Sequence, residues 1–136
     1  MNTRPVLSQS DVERIGQAAE AEAKKNNWVV SIAICDDGGH LLWFKRLEGA
    51  PPVSAYIAPQ KAKTAALGRR ESKVYEDVIN NGRTSFLSAP EIQGMLEGGV
   101  PIVVDGHCVG AVGVSNVKST EDAQIAKAGI AALLHG

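Results

Sequence analysis

The stretch Trp28-Val-Val-Ser-Ile-Ala-Ile-Cys-Asp-Asp-Gly-Gly-His-Leu-Leu-Trp-Phe-Lys-Arg-Leu47 decides the fold. Its first half alternates: Val30, Ile32 and Ile34 share one face of an extended segment, and Ser31, Ala33 and Cys35 share the other. Asp36-Asp37-Gly38-Gly39 interrupts it with turn residues, and His40 to Leu47 returns as a second β-rich run. Two such runs around a short Asp/Gly turn predict an antiparallel hairpin. The pattern recurs later, where Val100 to Val104, Asp105-Gly106 and His107 to Ser115 predict a second hairpin with Cys108, Val112 and Val114 on one face and Val109, Ala111 and Gly113 on the other. Hairpin-linked strands are antiparallel, so a doubly wound parallel sheet is excluded.

Helices are expected around these hairpins. Ser8 with Asp11, or Ser10 with Glu13, has the spacing of a capping box, and Val12, Ile15, Ala19 and Ala23 continue it as a helical stripe ending at Asn26-Asn27. Pro51-Pro52 lies in a loop over Glu48 to Ser54, and Pro59 suits the first position of a helix whose small-residue face is Ala62, Ala65, Ala66 and Gly68. Ser72 is expected to cap a helix from Lys73 to Asn80 that stops at Asn81-Gly82. Gly94 to Glu97 reads as a short edge strand, and Ser119 with Asp122 as the cap of a last helix striped by Ala123, Ala126, Ile130 and Leu134. The expected fold is α/β of the α+β type, an antiparallel sheet of about five strands flanked by helices on both sides.

The 136 residues suit one domain, 1-136. Net charge is −1, so no basic excess points to nucleic acid. The apolar runs fall far short of the ~18 residues of a membrane span. Met1 to Gln9 lacks the apolar core of a signal peptide, which makes a cytoplasmic location the expectation. Cys35 and Cys108 are expected to be buried, reduced thiols.

Few residues offer chemistry. His40 and His107 each follow a hairpin turn, either as ligands for haem or a metal or as polar residues at strand ends. No further ligand stands at zinc spacing, so no metal site is expected. Lys61, Lys63, Arg69, Arg70 and Lys73 form a basic group. Either it is a solvated face paired with Glu71, Glu76 and Asp77, or Lys61 and Arg69 bind a carboxylate. Gly98-Gly99 either admits a ligand close to the backbone or allows an unusual backbone angle, and Glu97 is the candidate acid or base. Dinucleotide, Walker A, Gly-x-Ser-x-Gly and CxxC strings are absent.

Four strings in order resemble the GlcG/HbpS-like family: Ser31-Ile-Ala-Ile-Cys-Asp-Asp-Gly-Gly-His-Leu-Leu42, Lys61-Ala-Lys-Thr-Ala-Ala-Leu-Gly-Arg-Arg-Glu71, Glu97-Gly-Gly-Val-Pro-Ile-Val-Val-Asp-Gly106 and Val109-Gly-Ala-Val-Gly-Val-Ser115. The match runs from about Leu7 into the last helix. The resemblance implies a profilin-like layout of five antiparallel strands, homo-oligomers of dimer size or larger, and a link to glycolate utilisation. Some members of the family bind haem. On that footing the expected function is a small cytoplasmic protein that binds haem or a related tetrapyrrole. His40 and then His107 are its axial candidates, Lys61 and Arg69 hold the propionates, and Gly98 and Gly99 lie at the site. The alternative is a small enzyme for a 2-hydroxy or 2-oxo acid using Glu97, His40 and Lys61, without a tightly bound metal.

Overall fold

A computed structural model describes residues 1–135. Along the chain run α1 (Gln9–Lys25), β1 (Ser31–Asp36), β2 (Leu41–Arg46), α2 (Pro52–Gly68), α3 (Lys73–Asn80), a 3-10 turn (Thr84–Ser88), β3 (Gly99–Val104), β4 (His107–Ser115) and α4 (Ser119–His135). The strands form one antiparallel sheet in the order β2-β1-β4-β3.

The alternation in β1 decides which helix packs on which face. Ile32 and Ile34 bury against Val12, Ile15 and Ala19 of α1 and Ile125, Ala126 and Ile130 of α4. Ala33 and Cys35, with Ala111 of β4, face Ala58, Ala62, Ala65 and Ala66 of α2. The second layer is built almost wholly of alanine, so α2 lies very close to the sheet. A Cβ on Gly113 would stand 2.1 Å from the Ala58 carbonyl. Burying each large aliphatic side chain of the first layer contributes roughly 1.5–3 kcal/mol.

Both hairpins form. Asp105 (φ 51°) and Gly106 (φ 78°) take left-handed conformations between the paired Val104 and His107, the geometry of a two-residue type I′ turn. The Ser8–Asp11 capping box also forms, with both reciprocal hydrogen bonds present.

Several local expectations are corrected. The sheet has four strands, not five, because Gly94 to Glu97 is not a strand. Its N–H groups go to side chains instead of a ladder: Gly94 N donates to Thr64 Oγ1 at 3.1 Å and Glu97 N to Glu76 Oε1 at 2.7 Å. Helix α2 starts at Pro52, which takes the N-terminal role expected of Pro59, and Pro59 lies inside it. Ser72 precedes α3 without capping it. Its hydroxyl donates to the Leu96 carbonyl at 2.5 Å and accepts from Gly99 N at 2.8 Å. Ser119 turns its hydroxyl to Glu97 Oε1, while Asp122 and Glu121 accept the N–H groups of Val117 and Lys118.

The alternation expected in β4 also fails at its start. Ile102 pairs with Gly110 but Val103 with Cys108, so Val109 is an extra, bulged residue. The bulge inverts the pattern on its N-terminal side. Val109 joins Val112 and Val114 in the aliphatic core, and Cys108 turns to the α2 face, with Sγ 3.9 Å from the Ala66 carbonyl. Cys35 is buried as expected, but Cys108 is only half-buried.

Candidate functional site

The sheet register brings the two turns to one end. Asp36, the last residue of β1, pairs with Gly110 near the start of β4. The turn after β1 and the turn before β4 therefore lie side by side, and the C-terminal end of α2 meets them through Arg69.

Within the first turn, Asp36 organises the backbone. Its Oδ1 accepts the N–H of Gly38 at 2.9 Å and of His40 at 3.0 Å. Both carboxylate oxygens stand 3.1 Å from His40 Nδ1. Burial works to raise the Asp36 pKa, but the N–H groups of His40 and Gly38 and the His40 ring outweigh it. The carboxyl is held below its ordinary value. An ionised carboxylate only accepts, so the tautomer that pairs with Asp36 carries its proton on Nδ1 and its lone pair on Nε2. The ring is 80% exposed, which leaves that lone pair open to solvent.

His107 opens β4 and is exposed. With Arg4, Arg69, Val103, Gly106 and Cys108 it lines an open cleft of about 440 Å³. Arg69 is the C-cap residue of α2 in a left-handed conformation (φ 57°), and its Nη1 donates to the Asp37 and Ala66 carbonyls. Arg4 pairs with the Asp37 carboxylate. His40, His107 and Arg69 thus share one end of the molecule.

Lys61, Glu97, Gly98 and Gly99 lie elsewhere, where α2, the entry to β3 and the N-terminus of α4 meet. Lys61 is buried, and its Nζ donates to the Val114 carbonyl at 2.9 Å and to Asp122 Oδ2 at 3.1 Å. Burial raises the Asp122 pKa, against the pull of the Lys61 ammonium. Gly98 has φ 133°, and a Cβ there would come 2.7 Å from the Val114 carbonyl and 2.8 Å from Lys61 Nζ. A Cβ on Gly99 would come 2.2 Å from the Lys61 carbonyl. Gly98 is needed for its positive φ and its close approach to the Val114 carbonyl of β4, and Gly99 because the chain passes directly over the α2 backbone at Lys61. Glu97 accepts from Ser119 and donates its N–H to Glu76. It lies toward the Val114 end of β4, whereas His40 lies at the Gly110 end, so Glu97, His40 and Lys61 do not share a site.

Sequence reasoning missed Asp36, Asp37, Arg4 and Asp122. The Asp36–His40 spacing was a usable signal, since an aspartate opening a turn accepts from backbone N–H groups two to four residues on. Nothing in the sequence pairs Arg4 with Asp37 or Lys61 with Asp122. Among the described residues, no three His, Cys, Asp or Glu side chains gather into a metal-holding group, and no helix is long and apolar enough to cross a membrane.

A four-stranded antiparallel sheet between helices, with both turns at one end, is the frame of a known class. The chain belongs to the HbpS-like family, whose model, described as haem degrading protein HbpS-like, matches residues 7–131. Among curated proteins it is 57% identical over 115 residues to protein GlcG of Escherichia coli K12, covering 85% of each chain. Among solved structures it is similar to PduOC in complex with haem, at 29% identity and TM-score 0.85, covering 94% of this chain and 95% of that one. It is also similar to a double mutant of Streptomyces reticuli HbpS, at 27% identity and TM-score 0.88, covering 100% and 91%.

Proposed function

We propose that this protein binds haem or a related tetrapyrrole at the hairpin end. The observation that carries the reading is the Asp36–His40 pair, a solvent-facing imidazole whose Nδ1 is held by a carboxylate 3.1 Å away. A carboxylate on the far nitrogen orients a metal-binding histidine and raises its basicity. The donor set suits haem: His40 Nε2 is the iron ligand, His107 the second candidate, and Arg69 lies nearby for the propionates. The cleft beside His107 falls within the 300–1,000 Å³ range usual for small-molecule sites. The PduOC–haem complex supports the reading by likeness. When bound, haem supplies a redox-active iron, and the chain's own groups orient it and neutralise its acids.

The same reading includes a cytoplasmic, homo-oligomeric protein linked to glycolate utilisation. The glycolate link extends the family resemblance of the four strings, and assembly is supported by exposed apolar side chains such as Leu41, Phe44 and Tyr56. A native mass spectrum reports the oligomer and any retained ligand together.

Hemin titrated into the purified protein should give a shifted Soret band that saturates at one equivalent per protomer. His40→Ala should remove the shift or weaken binding about ten-fold or more, and Asp36→Asn should weaken it by a similar factor. A flat titration, or one unchanged by joint replacement of His40 and His107, sinks the reading.

A further inference from the structure

Three charged groups converge beside the His107 cleft. Arg4 Nη1 pairs with Asp37 Oδ2, and Arg69 Nη2 lies 3.8 Å from the same oxygen. Arg4 and Arg69 also line the cleft, about half-exposed, with Asp37 more enclosed between them. Arg69 is not free to swing away, because its Nη1 is tied to two backbone carbonyls. Two guanidiniums directed at one carboxylate leave an excess positive charge and unused donors, since each carries five N–H groups in a planar fork. Such forks match carboxylates in a bidentate way.

We infer that Arg4 and Arg69 form the carboxylate-binding fork of this site and that Asp37 is its built-in competitor. A ligand bearing a carboxylate displaces the Asp37 side chain from the guanidiniums as it enters. This rests on the hairpin end being the ligand site, and it names the chemical group held there and the residue that sets the threshold for binding. An exposed ion pair is weak, so Asp37 costs an incoming carboxylate about five-fold in affinity or less.

Succinate tests the fork without iron. Its titration is followed through the Arg4 and Arg69 Nε–Hε resonances in the full chain and in Asp37→Asn, Asp37→Glu and Arg69→Gln variants. Succinate should move both arginine signals. Asp37→Asn should tighten the apparent Kd about three- to five-fold, Asp37→Glu should stay near wild type, and Arg69→Gln should weaken binding. Dimethyl succinate should do nothing. Unmoved arginine signals in Asp37→Asn, an unchanged or weaker Kd in that variant, or an equal response to the ester would overturn the fork. Hemin separates the two ideas. If succinate behaves as expected while hemin never shifts its Soret band, the haem reading falls and the fork stands. If hemin binds through His40 but Asp37→Asn changes neither probe, the fork falls alone.

Discussion

The hairpin end and the Lys61–Gly98–Gly99 junction use the same residue types to opposite ends. Each has a basic side chain, glycines and an aspartate. At the junction the ammonium of Lys61 is enclosed, and two of its donors go to Val114 and Asp122. The glycines there make room for backbone, Gly98 for the Val114 carbonyl of β4 and Gly99 for Lys61 of α2. At the hairpin end Asp36 occupies only one nitrogen of His40, and Arg4 and Arg69 face a cleft. Burial is the difference. An enclosed charge must be paired within the protein, whereas an exposed one keeps capacity for a ligand. Motif strings that look equally functional thus separate into a structural joint and a surface available for binding.

Breaking the joint should have the largest effect. Lys61→Met leaves Asp122 buried without its cation and should cost about 3–5 kcal/mol of stability by urea unfolding. Adding Asp122→Leu should recover much of that loss. Hemin affinity of the folded fraction should stay unchanged. Loss of hemin binding at full stability would instead move Lys61 into the ligand site.

His40→Ala should show the reverse profile. Its exposed ring predicts a stability change within about 0.5 kcal/mol, alongside the loss of the Soret shift. A destabilisation as large as that of Lys61→Met would erase the contrast between the two regions.

The two thiols refine the same contrast. Burial pushes the Cys35 thiol up to about 12, so it should not react with a disulfide reagent at neutral pH while the protein is folded. Cys108, half-buried beside the cleft, should react first, and hemin or succinate should slow it. Mass spectrometry of the labelled protein reads both.

Acid titration gives the smallest effect, and the two aspartates should move in opposite senses. The Asp36 pKa is lowered, so its contribution to stability is complete above the ordinary 3.8 and is lost as pH falls through its folded value. The Asp122 pKa is raised, so the folded protein holds that proton more tightly than the unfolded chain. Stability then declines as pH rises from the ordinary value to the raised one. Carboxyl carbon shifts should place Asp36 below 3.8 and Asp122 above it.

Local chemistry determined what could be read from the sequence alone. Both turns, the alternation of β1, the Ser8 cap and the end of α3 at Asn81-Gly82 depend on neighbours a few residues apart, so short strings carry them. The family strings carried the haem expectation in the same way. Tertiary structure alone decided what depends on contacts across the chain. The Val109 bulge inverts the faces of Cys108 and Val109 because β3 skips Val109, pairing Ile102 with Gly110 and Val103 with Cys108, beyond the last β1 partner at Gly110. The segment from Gly94 to Glu97 stays out of the sheet because Thr64 and Glu76 take its N–H groups from 30 and 21 residues away. Lys61 became a joint because Asp122, 61 residues on, is buried beside it. Arg4 joined the hairpin end because Asp37, 33 residues on, lies within its reach. A side chain's reactivity depends on which of its hydrogen bonds the protein already satisfies: for Lys61, Arg4 and Arg69 those partners include residues distant in the chain, whereas His40 takes Asp36 from four residues back.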